Sequence, residues 1–141
     1  MTGVLLSIKP RFVEAMMRNE KHYEFRKSMF TDKNVSRVFI YTTAPVKMIT
    51  ASFRIGGVEK ASPEVLWERF GHVAGISEEE FFEYYRNTSV GYAIKIEDLL
   101  NFDEPIDPYV TYPSFTPPQS FQYISTMENA IQERLGLSVV D

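Results

Sequence analysis

The segment Asn19-Glu20-Lys21-His22-Tyr23-Glu24-Phe25-Arg26-Lys27 gathers the side chains best suited to chemistry. It alternates: Tyr23 and Phe25 fall on one face of an extended chain, and His22, Glu24 and Arg26 on the other. Glu24 and Arg26, two residues apart, can therefore pair or jointly line a cavity. Lys21 stands at the entry of the same strand. A lysine beside a carboxylate can act as a charge clamp, or as a base where burial depresses its pKa. On spacing alone a surface ion pair on an edge strand, worth under about 1 kcal/mol, is the simpler explanation.

Other chemistries find little support. No phosphate-binding glycine loop, dinucleotide fingerprint, zinc-protease helix or calcium loop is present. With only His22 and His72 a multi-histidine metal site is excluded, and no carboxylate pattern marks a hard-metal site. Cysteine is absent, which removes disulfides, thiolate metal sites and cysteine nucleophiles. No metal or cofactor is expected. Phe81, Phe82, Tyr84 and Tyr85 lie at helical spacing, which core packing explains.

The elements that must position these residues follow from local pattern. Val4 to Ile8 reads as a buried strand, and Pro10 opens a helix carrying Phe12, Val13, Met16 and Met17, which Asn19 can stop. Strands are expected over 21–27, 37–42, 47–58, with a bulge or bend at Gly56-Gly57, and 90–96. Ser62-Pro63-Glu64 signals a helix start, Gly71 its end, and Ser77 with Glu80 a capping box for the next helix. Five prolines between 101 and 118 predict an extended surface segment, about 101–121, free of helix and central strand. Its interleaved aromatics suit it to strap the body of the protein. A last helix is expected over about 122–135. Four or five strands with helices at one junction indicate a small mixed barrel, an α+β fold.

A chain of 141 residues predicts a single domain spanning 1–141, able to bury a core without staples. Residues 1–60 carry 11 Lys/Arg against 5 Asp/Glu, a balance of +6, and residues 61–141 carry 4 against 14, a balance of −10. The net charge of −4 would usually argue against nucleic acid, but the basic half leaves a local field open. No apolar run approaches the roughly 18 residues of a membrane span, and Val4-Leu5-Leu6 is too short for a secretory signal. A cytoplasmic protein is expected.

Leu5-Leu6-Ser7-Ile8-Lys9-Pro10, a helix, and then Lys21-x-x-Glu24-x-Arg26 resemble the opening of the ASCH domain, a PUA-like barrel. That family's signature is G-x-K-x-x-E-x-R after the first helix, and Asn19 stands here where the glycine is usual. Arg37-Val38-Phe39-Ile40-Tyr41, Ala44-Pro45-Val46-Lys47, Val90-Gly91-Tyr92-Ala93-Ile94 and Pro117-Pro118-Gln119-Ser120-Phe121 resemble later segments of the family. The likeness spans about residues 3–100 well and the tail loosely.

The resemblance implies a PUA-like α+β barrel with flanking helices, and RNA or a modified nucleotide bound in a cleft beside the first helix. Carried over, the cleft holds Lys9, Lys21, Glu24 and Arg26, with Ser7 and Tyr41 as neighbours. Lys9 and Lys21 would engage phosphate, Glu24 and Arg26 would orient base or ribose, and Tyr41 would stack on a base or else pack in the core. A second expectation is a hydrolase acting on RNA or on a modified nucleoside, with Lys21 and Glu24 catalytic. Family members that hydrolyse N4-acetylcytidine have a threonine nucleophile where Glu24 stands, and a glutamate that aligns roughly with His72, near Glu78 and Glu79. Losing that hydroxyl leaves water activated by Lys21 and Glu24. A third expectation is a protein-interaction module in transcriptional control.

Overall fold

The structure, a computed structural model, describes residues 2–124. The order is β1 (Thr2–Ile8), α1 (Pro10–Met17), β2 (Tyr23–Arg26), β3 (Val35–Thr42), β4 (Met48–Ala61), α2 (Pro63–Phe70), a 3₁₀ turn (Gly71–Val73), α3 (Glu78–Tyr84), β5 (Gly91–Ile106), α4 (Pro108–Thr111) and β6 (Phe121–Tyr123). The strands form one sheet in the order β2-β5-β4-β3-β1-β6. β1 pairs parallel with β3, and β1–β6, β2–β5 and β3–β4 pair antiparallel. A mixed sheet with helices between its strands is the α+β class expected. Among the described residues no helix is long and apolar enough to cross a membrane.

The helix signals act as the sequence implies. Pro10 and Pro63 open α1 and α2, where a missing N–H costs nothing. The Val65 N–H donates to Ser62 Oγ at 3.3 Å, and the Glu80 N–H to Ser77 Oγ at 3.1 Å, so both caps satisfy otherwise orphaned donors. α1 ends in a left-handed turn. Asn19 has φ 62°, its N–H reaches Met16 O at 3.1 Å, and the Glu20 N–H reaches Ala15 O at 2.9 Å. This is the Schellman arrangement, which needs a residue tolerant of positive φ. Asparagine and glycine are the two that tolerate it best, which accounts for Asn19 at the motif's usual glycine.

The chain folds as two compact units interleaved along the sequence. Among the described residues, one comprises 2–10, Asp32–Arg54 and 99–124, the other Arg11–Thr31 and Ile55–Asp98. In the first, Leu5, Phe39, Tyr41, Ile49, Phe102, Ile106 and Ile124 form the core, with Tyr109, Tyr112 and Phe115 packed on it. In the second, Phe25, Leu66, Ala74, Phe81, Tyr85 and Ala93 form the core, with Tyr23, Trp67 and Phe70 packed on it.

The proline-rich region departs from expectation. β5 continues through 101–106, Pro105 included, and Pro108 opens α4 with the Tyr109 N–H bound to Asp107 Oδ1 at 2.9 Å. Pro105 is the next-to-last residue of β5, well past the Tyr92–Lys95 stretch that pairs with β2, so its missing donor falls near a strand end. Pro108 takes the first helical position, the one place a helix accepts it. The tail then lies on the core of its own unit through Tyr112 and Phe115, and Phe121–Tyr123 add β6 to β1. The expected last helix therefore does not begin at 122; its remainder, 125–135, lies outside the described residues.

Candidate functional site

Every member of the Lys21-x-x-Glu24-x-Arg26 motif lies in the unit formed by Arg11–Thr31 and Ile55–Asp98. The turn after α1 delivers Lys21 into an isolated antiparallel bridge with Ala74, and the His22 N–H binds Val73 O at 2.8 Å. Only 4% of Lys21 is exposed. Its ammonium donates to Ala74 O at 3.0 Å and lies 3.9 Å from Glu24 Oε1. Below and beside it are the Phe12 and Phe25 rings, 5.4 and 5.0 Å from Nζ to the centroids. Gly75, at φ 65°, packs so close that a Cβ there would fall 2.5 Å from Lys21 Cβ. The lysine is thus clamped from all the elements that meet it.

The strand faces divide as the alternation predicts. Tyr23 stacks on Phe70 at 4.0 Å and Phe25 meets Phe81 edge-on at 5.1 Å, both toward the helices. Glu24 and Arg26 take the opposite face, directly across from Ile94 and Tyr92 of β5. Glu24 is 9% exposed. Burial pushes its carboxyl above the ordinary carboxylate range, against the opposing pull of Lys21 and Arg26. Burial likewise lowers Lys21, partly offset by Glu24. A carboxyl raised in this way beside an ammonium suits proton transfer, and equally suits a fixed acceptor that orients a base or ribose.

Lys9, Ser7 and Tyr41 lie in the other unit. Lys9 is exposed just past β1. Ser7 donates to Pro118 O at 2.8 Å, and sits opposite Tyr41 in the β1–β3 register. Tyr41 is 2% exposed, shares a 3.0 Å hydroxyl hydrogen bond with Tyr109, and lies 5.4 Å from the Phe115 ring. Burial and Tyr109 push its hydroxyl pKa up. Tyr41 thus has no free ring face for a base, and the stacking expected of it is corrected to core packing. His72, Glu78 and Glu79 are exposed and belong to the 3₁₀ turn and the first turn of α3.

A shallow cavity of about 330 Å³ lies beside α1, lined by Arg11, Phe12, Arg18, Glu20, Gly75 and Glu80 among others. Both arginines are matched by carboxylates: Arg11 holds Glu80 through two hydrogen bonds and Arg18 holds Glu20 at 3.1 Å. The cavity is charge-balanced, so it offers little pull on phosphate. Among the described residues no group of three His, Asp or Glu side chains could hold a metal ion.

Four residues near the motif were not among the expected site residues. The Lys27 ammonium lies 4.8 Å over the Tyr84 ring, and Lys60 lies 5.9 Å over Tyr92. The four aromatics Phe81, Phe82, Tyr84 and Tyr85, in α3 and at its C-cap, signal a core helix, yet Tyr84 is 39% exposed.

Comparison with known proteins agrees with this architecture. Over 130 residues the chain is 27% identical to the ASCH domain-containing ribonuclease of Zymomonas mobilis, covering 88% of this chain and 85% of that protein. The crystal structure of ASCH from Zymomonas mobilis superposes with a TM-score of 0.84 at 26% identity, covering 94% of each chain. A mutant of that protein gives 0.85 at 25% identity, covering 96% of this chain and 99% of the other. A family model described as a domain of unknown function, DUF365, matches residues 1–114. The protein belongs to the DUF365 family and is similar in sequence and fold to the ASCH domain of Zymomonas mobilis.

Proposed function

We propose that the protein recognises RNA through the strand face bearing Glu24 and Arg26, with Lys21 as the buried residue that holds Glu24 in place. The observation that carries this is the Lys21–Glu24 contact at 3.9 Å within the apolar surroundings of Phe12 and Phe25. An ion pair is a costly way to fill a core, because desolvation offsets most of its Coulombic gain. Its presence at the family's motif is better explained by the fixed carboxylate it leaves beside Arg26. The ribonuclease name of the similar Zymomonas mobilis protein supports RNA as the ligand class. Lys9, exposed in the other unit, is a candidate phosphate contact.

Binding of short single-stranded RNA, measured across a salt series, tests this reading. Arg26→Ala should weaken binding by about 1.5–3 kcal/mol, the range for a hydrogen bond to a charged group. If Arg26→Ala binds RNA as wild type does, the assignment fails.

A second reading is RNA cleavage or nucleoside hydrolysis, favoured by the raised carboxyl of Glu24 beside Lys21 and by the relative's name. It requires turnover that Glu24→Gln abolishes while RNA binding persists. Incubating the same preparation with RNA and with acylated nucleosides decides it.

A further inference from the structure

The β3–β4 ladder sets two arginines side by side. Arg37 lies directly opposite Arg54 in the antiparallel register, as Phe39 lies opposite Ser52. Residues opposite one another, or two apart along a strand, share a sheet face, so Arg37, Phe39, Ser52 and Arg54 project from the same side. A hydrogen bond bears this out: the Arg37 guanidinium donates to Ser52 Oγ at 3.2 Å. Phe39 and Ser52 are fully buried, Arg37 is half-buried and Arg54 is exposed. The two cations therefore stand where this face passes from core to solvent. Among the described residues no carboxylate forms an ion pair with Arg37, whose side-chain partner is a neutral hydroxyl. All four residues belong to the unit that contains Asp32–Arg54.

We propose that Arg37 and Arg54 form a clamp for a backbone phosphate of RNA. The proposal rests on the RNA-binding reading above and adds a contact in the unit that does not carry the Glu24–Arg26 face. Like charges directly opposite each other destabilise a ladder, and an anion lying between them offsets that repulsion. A phosphate suits the place. Its oxygens point in several directions, and each planar guanidinium presents parallel N–H donors that match a pair of them. Ser52 takes one donor of Arg37 and leaves the others for a ligand. The same bond holds Arg37 in position before a ligand arrives, which lowers the entropy lost on binding. Arg54 has contacts of its own, and with five N–H donors it can keep them while it turns one edge to the phosphate. Such a clamp touches the backbone and no base, so it positions the strand without reading its sequence.

The test measures binding of a short single-stranded RNA to the full chain across a salt series. Arg37→Gln and Arg54→Gln should each lower affinity by about 10- to 150-fold, the range of a hydrogen bond to a charged group. The double variant should make the slope of log affinity on log salt shallower by about 0.7, one phosphate on a single strand. Arg37→Lys keeps the charge without the planar fork, so it should keep the slope and lose less affinity than Arg37→Gln. Lys33, exposed in the same unit, is the control for net charge. At about 0.15 M salt, where charges more than about 8 Å apart are screened, Lys33→Gln should bind within about 2-fold of wild type. Glutamine at 37 still offers Ser52 a donor, so that variant is expected to fold, which circular dichroism checks for all of them. If both glutamine variants bind as wild type does while Arg26→Ala is weakened, the clamp is wrong and the RNA-binding reading stands. An equal loss in Lys33→Gln also overturns the clamp, because net charge alone then explains it. If wild type binds no RNA even at low salt, the reading falls and the clamp with it.

Discussion

Lys21 shows how far one side chain can be settled by its neighbours. Its ammonium has a carbonyl acceptor at 3.0 Å, a carboxylate at 3.9 Å and two aromatic rings, and so it serves the interior rather than a ligand's phosphate. Removing it leaves a buried charge less compensated. Lys21→Met keeps the length and apolar stem, yet should cost about 3–5 kcal/mol in urea unfolding, since the buried Glu24 loses its ammonium neighbour. A loss well under that would show that the pair is neutral in the folded protein. The pH dependence follows in sign. Burial holds the Glu24 carboxyl above its ordinary value of 4.5, so the folded protein binds this proton more tightly than the unfolded chain. Its contribution is present below the unfolded value and is lost as pH rises through the folded one. Without Lys21 the carboxyl rises further. The variant should then lose stability more steeply than wild type as pH climbs from about 4.5.

At the scale of elements, the turn after α1 is what sets the motif's geometry. The left-handed Asn19 reverses the chain so that Lys21 reaches Ala74 and β2 begins two residues later. Asn19→Gly should leave stability unchanged or slightly raised. Asn19→Ala should lower it by about 1–2 kcal/mol, because alanine lacks the polar side chain that eases the left-handed region. Thermal or urea melts of the two variants compare them directly, and an equal effect from both would contradict the backbone argument. The α1 start, the α2 and α3 caps and the aromatic–polar alternation of β2 were all legible locally, since each depends on residues within a turn of one another. β6 was not. Three residues, Phe121-Gln122-Tyr123, carry no readable period, and only the ladder with Val4, Leu5 and Leu6 makes them a strand.

For the whole molecule, a net charge of −4 sets the limits on any RNA contact. Long-range attraction is absent, so binding must come from a few cations, such as Arg26 and the Arg37–Arg54 pair. If Arg26 neutralises one phosphate and the pair another, log affinity should fall with log salt at a slope of about −1.4, counting roughly 0.7 per phosphate on a single strand. A slope near zero would remove electrostatic RNA contact from consideration. The division of the chain into two units matters here too. Lys9, Ser7 and Tyr41 belong to one and Lys21, Glu24 and Arg26 to the other, although the motif reads as a single string of nearby residues.

The sequence by itself determined the α+β class, most element positions, the helix caps and the K-x-x-E-x-R motif with its family. These rest on periodicities and short-range hydrogen bonds that involve neighbours in the chain. Tertiary structure alone decided that Lys21 is enclosed, that Tyr41 is core, that Tyr84 faces outward and that β5 runs on through Pro105. Each of these depends on which distant surface covers a side chain or completes a ladder. Burial is a property of packed pairs, and spacing along one strand carries no record of its partner.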